Sequence, residues 1–143
     1  MTNEKNEYRI LNKEQRMKKY DLEDRLIKFS VLIISISETL PGNQSGKYLS
    51  GQIVRSGLAP SLNYGEAKSA ESINDFVHKM KIALKELRET FIALQIIQAK
   101  PLTKNTELLD KCLTECNELI SIFVKSIQTA QQRKENTSSF KIR

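Results

Sequence analysis

Apolar residues recur every three or four positions along most of the chain, which is the spacing of one face of an α-helix. The first segment with this spacing runs from residue 22 to residue 40 and ends before Pro41 and Gly42, a pair that stops helices. Its apolar positions are Leu22, Leu26, Phe29, Ile33, Ile36 and Leu40. The pattern predicts a first helix that packs along one seam.

Three further segments repeat the pattern, over about 47–67, about 69–99, and from Thr103 or Thr106 to about Gln132. Lys100 and Pro101 end the third, and either threonine is suited to cap the fourth. No segment alternates apolar and polar residues with a period of two. The sequence therefore predicts an all-α fold of four helices without a sheet.

The first helix carries a second apolar stripe at Ile27, Val31 and Ile34, beside the seam. A helix with two apolar stripes has more apolar surface than one neighbour covers. It therefore packs against two helices or also meets another subunit.

The stretch RSGLAPSLNYGEA, residues 55–67, contains three helix breakers, of which Pro60 is the strongest. Proline within a helix removes one backbone hydrogen bond and costs about 3 kcal/mol without compensation. We expect a kinked helix, with Gly57 and Ala59 small enough to let a neighbouring helix approach closely. The competing interpretation is a break into two short helices at Ala59.

Polar residues on the second and third helices are expected to meet across an antiparallel hairpin that turns near residue 70. Arg55 then lies level with Glu86 and one turn from Glu89, Asn63 lies level with His78, and Glu66 lies about one turn from Lys79. These pairs are expected to form a structural polar network rather than a ligand site, since ion pairs of this kind set helix register. The network residues are Arg55, Asn63, Glu66, Lys79, Glu86 and Glu89.

The length of 143 residues fits one domain, and the net charge of +6 is unevenly distributed along it. Residues 1–20 form a basic arm of net +3, and residues 133–143 form a polar tail, also of net +3, that is expected to be disordered. The four-helix segment, 21–132, holds 13 basic and 13 acidic residues and is neutral. Basic arms can neutralise nucleic-acid phosphates, although a solvated tail without a partner is the competing interpretation. The candidate nucleic-acid residues are Lys13, Arg16, Lys18, Lys19, Arg133 and Lys134.

The sequence contains no convincing constellation for catalysis, a cofactor or a metal. His78 is the sole histidine, so the pair Asp75 and His78 lacks the second acid and histidine pair that a di-iron bundle site needs. Cys112 and Cys116 lie on the apolar seam of the fourth helix, where thiols usually pack as small hydrophobic groups. No continuous apolar segment is long enough to span a membrane, and the sequence does not show the pattern of a secretory signal. We expect a non-enzymatic cytoplasmic protein that does not enter a membrane.

The run LSGQIVRSGLAPSLNYGEAKSAESINDFVHKMKIALKELRET, residues 49–90, resembles the family called four-helix-bundle proteins. This is the family of the protein encoded by intervening sequences in bacterial large-subunit ribosomal RNA genes. The resemblance covers the second and third helices closely, and the other two by length and pattern. Its matching segments are Gln52 with 55–57, Asn63 with 66–67, Ser72 with 75–76, Lys79, 82–86 and 89–90.

The resemblance implies an antiparallel, up-down-up-down four-helix bundle that assembles into a homopentamer and has no established enzymatic activity. A related branch contains the accessory variability protein of diversity-generating retroelements, a strongly basic partner of a reverse transcriptase. The neutral helical segment of this chain departs from that branch.

Two functional hypotheses follow. The first is a non-catalytic oligomeric bundle that associates with RNA or DNA through its basic ends. The alternative is a scaffold that binds a partner protein, such as a reverse transcriptase in a retroelement setting.

Overall fold

A computed structural model describes residues 22–142 together with position 6, and side chains through Thr137. This part of the chain folds into four helices and contains no strand, which confirms the all-α prediction. The helices are α1 (residues 22–37), α2 (Gln44–Lys68), α3 (Ile73–Ala99) and α4 (Thr106–Ile142). Apart from position 6, the basic arm over 1–20 lies outside the described residues.

Capping side chains decide where α2 and α3 begin. The amide of Gly46 donates to Asn43 Oδ1 at 2.9 Å, so α2 begins three residues before the predicted start at residue 47. The amide of Asp75 donates to Ser72 Oγ at 3.1 Å, and α3 therefore begins at Ile73 rather than at residue 69. Both caps accept from the first turn, whose amides have no partner within the helix.

The cap of α4 differs from the prediction, which named Thr103 or Thr106. The amide of Leu108 donates to Asn105 Oδ1 at 3.1 Å, so Asn105 is the capping residue. Thr103 is buried, and its Oγ1 accepts from the amide of Asn105 at 3.2 Å and lies 2.7 Å from Thr39 Oγ1. Thr103 therefore holds the loop before α4 against the end of α1 instead of capping the helix.

The C-terminal boundary of α4 also differs from the prediction. The segment after Gln132 was expected to be disordered, whereas the helix continues through Ile142. The side chains of residues 132–137 are exposed, so packing does not hold this segment in place. The continuation has a local cause: residues 131–135, QQRKE, are good helix formers, and no glycine or proline follows to end the helix.

Neighbouring helices run antiparallel. Between α1 and α2, Ser30 Oγ lies 3.2 Å from Ser61 Oγ, and Lys68 pairs with Glu23 nearer the start of α1. The second helix pairs with α3, α3 contacts α4 through Cys116, and α4 returns to α1 through Cys112. This cycle of contacts forms a four-helix bundle with up-down-up-down packing, in which α1 lies diagonally opposite α3.

The predicted seams form the core of the bundle. The buried apolar residues of α1 and α4 comprise the seam positions predicted for α1, apart from the partly buried Leu22 and Leu40, and a row along α4 that includes Cys112 and Cys116. They are Leu26, Phe29, Ile33, Ile36, Leu109, Cys112, Cys116, Leu119, Phe123 and Ile127. The six from α4 alone contribute a continuous apolar stripe over five turns. Burial of these side chains is the main force that holds the four helices together.

The second helix continues without interruption through Pro60, which excludes the break at Ala59. Gly57, one turn earlier, is fully packed against α1: a Cβ at this position would lie 2.8 Å from Ile33 Cγ2. The predicted close approach is therefore confirmed at Gly57. Pro60 removes one backbone hydrogen bond from α2. This loss occurs where Pro60 is buried and where Gly57, one turn earlier, packs closely against α1.

Candidate functional site

The polar network between α2 and α3 has the register expected from the hairpin. Arg55 Nη1 lies 3.2 Å from Glu86 Oε2, and Arg55 Nη2 lies 3.0 Å from Glu89 Oε2. The hydrogen bond to Glu89 is the largest influence that raises the pKa of the Arg55 guanidinium. One guanidinium thus clamps two carboxylates of α3, but Arg55 remains more than half exposed. Exposed ion pairs of this kind contribute little to stability, because solvent screens them.

Of the two other expected pairs, one forms and one does not. Lys79 Nζ lies 3.0 Å from Glu66 Oε2, as the register requires. His78 is exposed on the outer face of α3, and no hydrogen bond joins it to Asn63 in the described structure. A shared level along two neighbouring helices therefore does not by itself predict a contact, because the two side chains must also lie on the sides of the helices that face each other.

A neutral contact deeper in the same interface was not predicted from the sequence. The Thr90 hydroxyl donates to Ser56 Oγ at 2.8 Å, and the Ser56 hydroxyl donates to the carbonyl of Gln52 at 2.9 Å. Ser56 and Thr90 are both fully buried. Each hydroxyl also lies within hydrogen-bond distance of a carbonyl of its own helix, Thr90 of Glu86 and Ser56 of Gln52, so the pair adds a polar contact across the apolar interface without being the sole partner of either group.

A second ion-pair cluster, also unpredicted, joins α1 to α4. Arg25 Nε lies 2.9 Å from Glu115 Oε1, and Arg25 Nη2 lies 2.7 Å from Glu118 Oε2. The hydrogen bond to Glu115 is the largest cause of a raised pKa for Arg25. Arg25 is 27% exposed, about half the value for Arg55. The partners are 90 residues apart in the chain, so no local hairpin rule could have matched them.

The two cysteines are core residues. Both are fully buried and unbridged, and Cys116 Sγ donates to the carbonyl of Leu87 at 3.3 Å. Burial raises the pKa of Cys112 to about 11 and that of Cys116 to about 12. A nucleophilic thiol needs a lowered pKa and access to solvent. These two thiols meet neither condition, because their pKa is raised and they are buried.

The described residues also contain no group of three or more histidine, cysteine or acidic side chains able to hold a metal ion. Two surface grooves of the bundle also lack the residues of a metal or catalytic site. One of about 600 Å³ between α1 and α4 is lined mainly by charged residues, including the paired Arg25. Another, of about 1050 Å³, lies between the α2–α3 turn and the end of α4 and is lined by Phe76, Ile122 and Lys125 among others. Neither holds a histidine or a thiol.

An apolar face remains uncovered on the outside of the α1–α2 pair. Ile27, Val31 and Ile34 are 53%, 56% and 39% exposed, and Leu62 of α2 is 70% exposed. The antiparallel register places Leu62 near the level of Ile27, because Ser30 meets Ser61. We call these four residues the α1–α2 apolar face. The second stripe of the first helix therefore remains partly exposed on the surface of the described structure.

The candidate nucleic-acid residues fall into two groups. Lys13, Arg16, Lys18 and Lys19 lie outside the described residues. Arg133 and Lys134 are exposed on α4 beyond the last core residue, Ile127, and neither forms an ion pair in the described part of the chain. Arg133 lines the larger groove together with Lys125. The basic end of the chain is thus carried on a projecting helix.

No helix among the described residues is long and apolar enough to cross a membrane.

Comparisons with known proteins agree with the bundle architecture. The family model described as 23S rRNA-intervening sequence protein matches residues 18–125. A solved protein of unknown function from Bacteroides thetaiotaomicron, assigned to the S23 ribosomal protein family, is 31% identical, with a TM-score of 0.66. The match covers 74% of this chain and 97% of that one. No curated protein matches the chain.

The matched segment, 18–125, begins just before α1 and extends to within one turn of the last buried residue of α4, so it contains nearly the whole packed bundle. It is also well over half of the 143 residues. The chain belongs to the 23S rRNA-intervening sequence protein family.

Proposed function

We propose that this protein is a non-catalytic helical bundle that assembles with copies of itself and binds nucleic acid through its basic ends. The observation that carries the proposal is the α1–α2 apolar face. Four large aliphatic side chains on two adjacent helices are exposed without a partner. Exposed apolar residues that occur singly are ordinary, but a stripe along one side of a helix, such as Ile27, Val31 and Ile34, is typical of a protein interface.

The assembly is a homopentamer in this proposal, as the family resemblance implies. A ring of identical subunits uses two different surfaces of each subunit, and the α1–α2 apolar face is one of them. Ile92 and Ile96, which are 58% and 48% exposed on α3, offer apolar surface on the opposite side of the bundle. Two separate apolar surfaces are compatible with a head-to-tail ring, whereas a two-fold dimer needs only one.

Replacing Val31 with glutamate tests the assembly. Val31 is 56% exposed and lies in the middle of the α1 stripe, so the fold should tolerate the charge. An interface should not, because it would bury an unpaired carboxylate. Native mass spectrometry should show a pentamer for the wild type and smaller species for the variant. Gln128→Glu, at an exposed site on α4 outside both apolar surfaces, is the matched control and should keep the wild-type mass.

The nucleic-acid part of the proposal rests on where the charge lies. The four-helix segment is neutral, while each end of the chain carries a net charge of +3. Five copies would bring ten such ends together on one particle. Basic groups at this density bind phosphates by releasing condensed counterions, without reading base sequence. The family description, which refers to an intervening sequence of 23S rRNA, supports an RNA setting.

A titration of labelled mixed-sequence RNA at several salt concentrations tests this part. Full-length protein should bind with an affinity that falls steeply with salt, and deletion of residues 1–20 and 133–143 together should weaken binding and flatten the salt dependence. Absence of binding at low salt would remove the nucleic-acid hypothesis. In that event, the alternative of a scaffold for a partner protein becomes the next hypothesis to test.

A further inference from the structure

Three cations form a continuous stripe on the outer face of α3. Lys81, Lys85 and Arg88 are all exposed, and their spacing of four and three residues places them on one side of the helix. At 1.5 Å per residue they lie at about 0, 6 and 10 Å along the helix axis. We call these three residues the α3 basic stripe. It lies in the segment of the chain that is neutral overall, so net charge alone does not reveal it.

The α3 basic stripe has no acidic partner in the described structure, whereas several other cations of the bundle do. Arg25, Arg55, Lys68 and Lys79 each contact a glutamate. The acids of α3 nearest to the stripe are Glu86 and Glu89, and both are engaged by Arg55 from α2. The folding of α2 against α3 therefore holds both carboxylates on the α2 side of α3, and with Arg55 they carry a net charge of −1 against the +3 of the stripe.

This arrangement does not contribute to the stability of the helix. Lys81 and Lys85 are four residues apart and Arg88 follows three residues later, and like charges at these spacings repel. A solvated helix face usually mixes both signs of charge. The exposed residues that continue this face are Asn74, His78, Ile92 and Ile96, none of them acidic. The stripe is thus an uncompensated positive surface on a rigid element.

We propose that the α3 basic stripe binds the sugar-phosphate backbone of duplex nucleic acid. The proposal rests on the proposed function and places a binding surface on the body of the bundle, in addition to the chain ends. A nucleic-acid strand presents one phosphate per about 3.4 Å of helix axis, so the 10 Å stripe spans about three phosphates. The number of cations therefore equals the number of phosphates, and the length of the stripe equals the distance that those phosphates span along the duplex.

The composition of the α3 face favours backbone contacts with a duplex over binding of single strands. Proteins that hold single strands combine basic residues with aromatic side chains on which bases stack. The exposed positions of α3 that surround the stripe hold no phenylalanine, tyrosine or tryptophan. The stripe lies on α3, diagonally opposite α1 and outside the α1–α2 apolar face, and it precedes Ile92 and Ile96 along the same side of α3.

The test compares two charge-matched triple variants of the full chain. The first is Lys81→Gln, Lys85→Gln and Arg88→Gln. The control is Lys47→Gln, Lys100→Gln and Lys125→Gln, which removes three exposed and unpaired cations from scattered positions. All six residues are exposed, so circular dichroism should show the wild-type helix content for both variants. The probes are labelled mixed-sequence duplexes of RNA and of DNA, with fluorescence anisotropy measured at several salt concentrations.

Loss of three phosphate contacts should lower the slope of log affinity against log salt by about 2–3 for the DNA duplex. At 0.1 M salt, the affinity of the stripe variant should fall on the order of 100-fold. The control variant should lose much less affinity, because its three cations are scattered over the surface and do not form one stripe. A stripe variant that matches the control would overturn the assignment to α3 while leaving the proposed function intact. A wild-type protein that binds neither duplex nor mixed-sequence RNA at low salt would overturn both.

Discussion

Replacing Gly57 with alanine tests the close contact between α1 and α2. The added Cβ would lie 2.8 Å from Ile33 Cγ2 and 2.9 Å from Ile33 Cγ1, and Ile33 is fully buried. Such distances force the two helices apart or Ile33 out of its rotamer, and overpacking of this kind costs about 1–3 kcal/mol. The alanine also gains about 1 kcal/mol of helix propensity. The two effects have opposite signs, so the net change alone is hard to interpret.

Gly65→Ala is the matched control. Gly65 lies in the same helix and is exposed, and an added Cβ would have nothing within 4 Å. It should gain the propensity contribution without the packing cost. Because that contribution is common to both variants, the difference between their free energies of unfolding isolates the contact with Ile33. We expect Gly57→Ala to be less stable than Gly65→Ala by about 1–3 kcal/mol.

Urea unfolding followed by circular dichroism measures this difference, at one fixed protomer concentration because self-association makes stability depend on concentration. Thermal unfolding should show a corresponding gap of about 2–12 °C for a chain of this size. Ile33→Ala removes both γ carbons, so Gly57→Ala should cost less in that background than in the wild type. Equal stability of Gly57→Ala and Gly65→Ala would refute the close contact.

The remaining predictions concern the cysteines and the arginine clusters. Cys112 and Cys116 should not react with a thiol reagent at pH 8 until denaturant is added, because both are buried and protonated. Unfolded thiols ionise near pH 9.0 whereas the folded ones keep their protons to about pH 11 and 12, so stability should fall above pH 9. The slope is about 1.4 kcal/mol per pH unit for each thiol, and the double Cys→Ala variant should lack it in chemical denaturation between pH 9 and 10.5. Arg55→Gln should have only a small effect on the free energy of unfolding, because the pair is exposed. Arg25→Gln should cost more, since Arg25 is 27% exposed against 55% for Arg55; equal losses in urea unfolding would contradict this ranking.

The contacts that could be predicted from the sequence are those between helices adjacent in the chain. Arg55 and Glu86 could be matched because a short turn joins α2 to α3, so positions along one helix determine levels along the other. Arg25 and Glu115 could not be matched, because two helices and two loops lie between them and small changes in each connection move the register. The same reasoning explains why the α1–α2 apolar face could be expected as a second stripe, but not as an uncovered one.

Helix ends were predicted less accurately than helix faces. The fourth helix has three polar residues near its start that are suited to capping, and only the backbone geometry shows that Asn105 accepts from Leu108. At its other end, the loss of apolar periodicity after Gln132 was interpreted as disorder, although residues 131–135 are good helix formers and the helix continues through Ile142. Apolar periodicity indicates which residues pack in the core. A helical segment that projects beyond the core has no such packing, so its sequence shows no apolar periodicity.

The sequence by itself determined the all-α fold, the seams of the core and the neutrality of the four-helix segment, because the period of apolar residues reflects helical geometry directly. Only the tertiary structure decided which polar groups find partners. Arg55 takes up both nearby acids of α3, which leaves Lys81, Lys85 and Arg88 as an unpaired stripe. A charge count adds the residues of a helix, whereas the field at its surface depends on which of those charges are neutralised by a neighbour a few ångströms away.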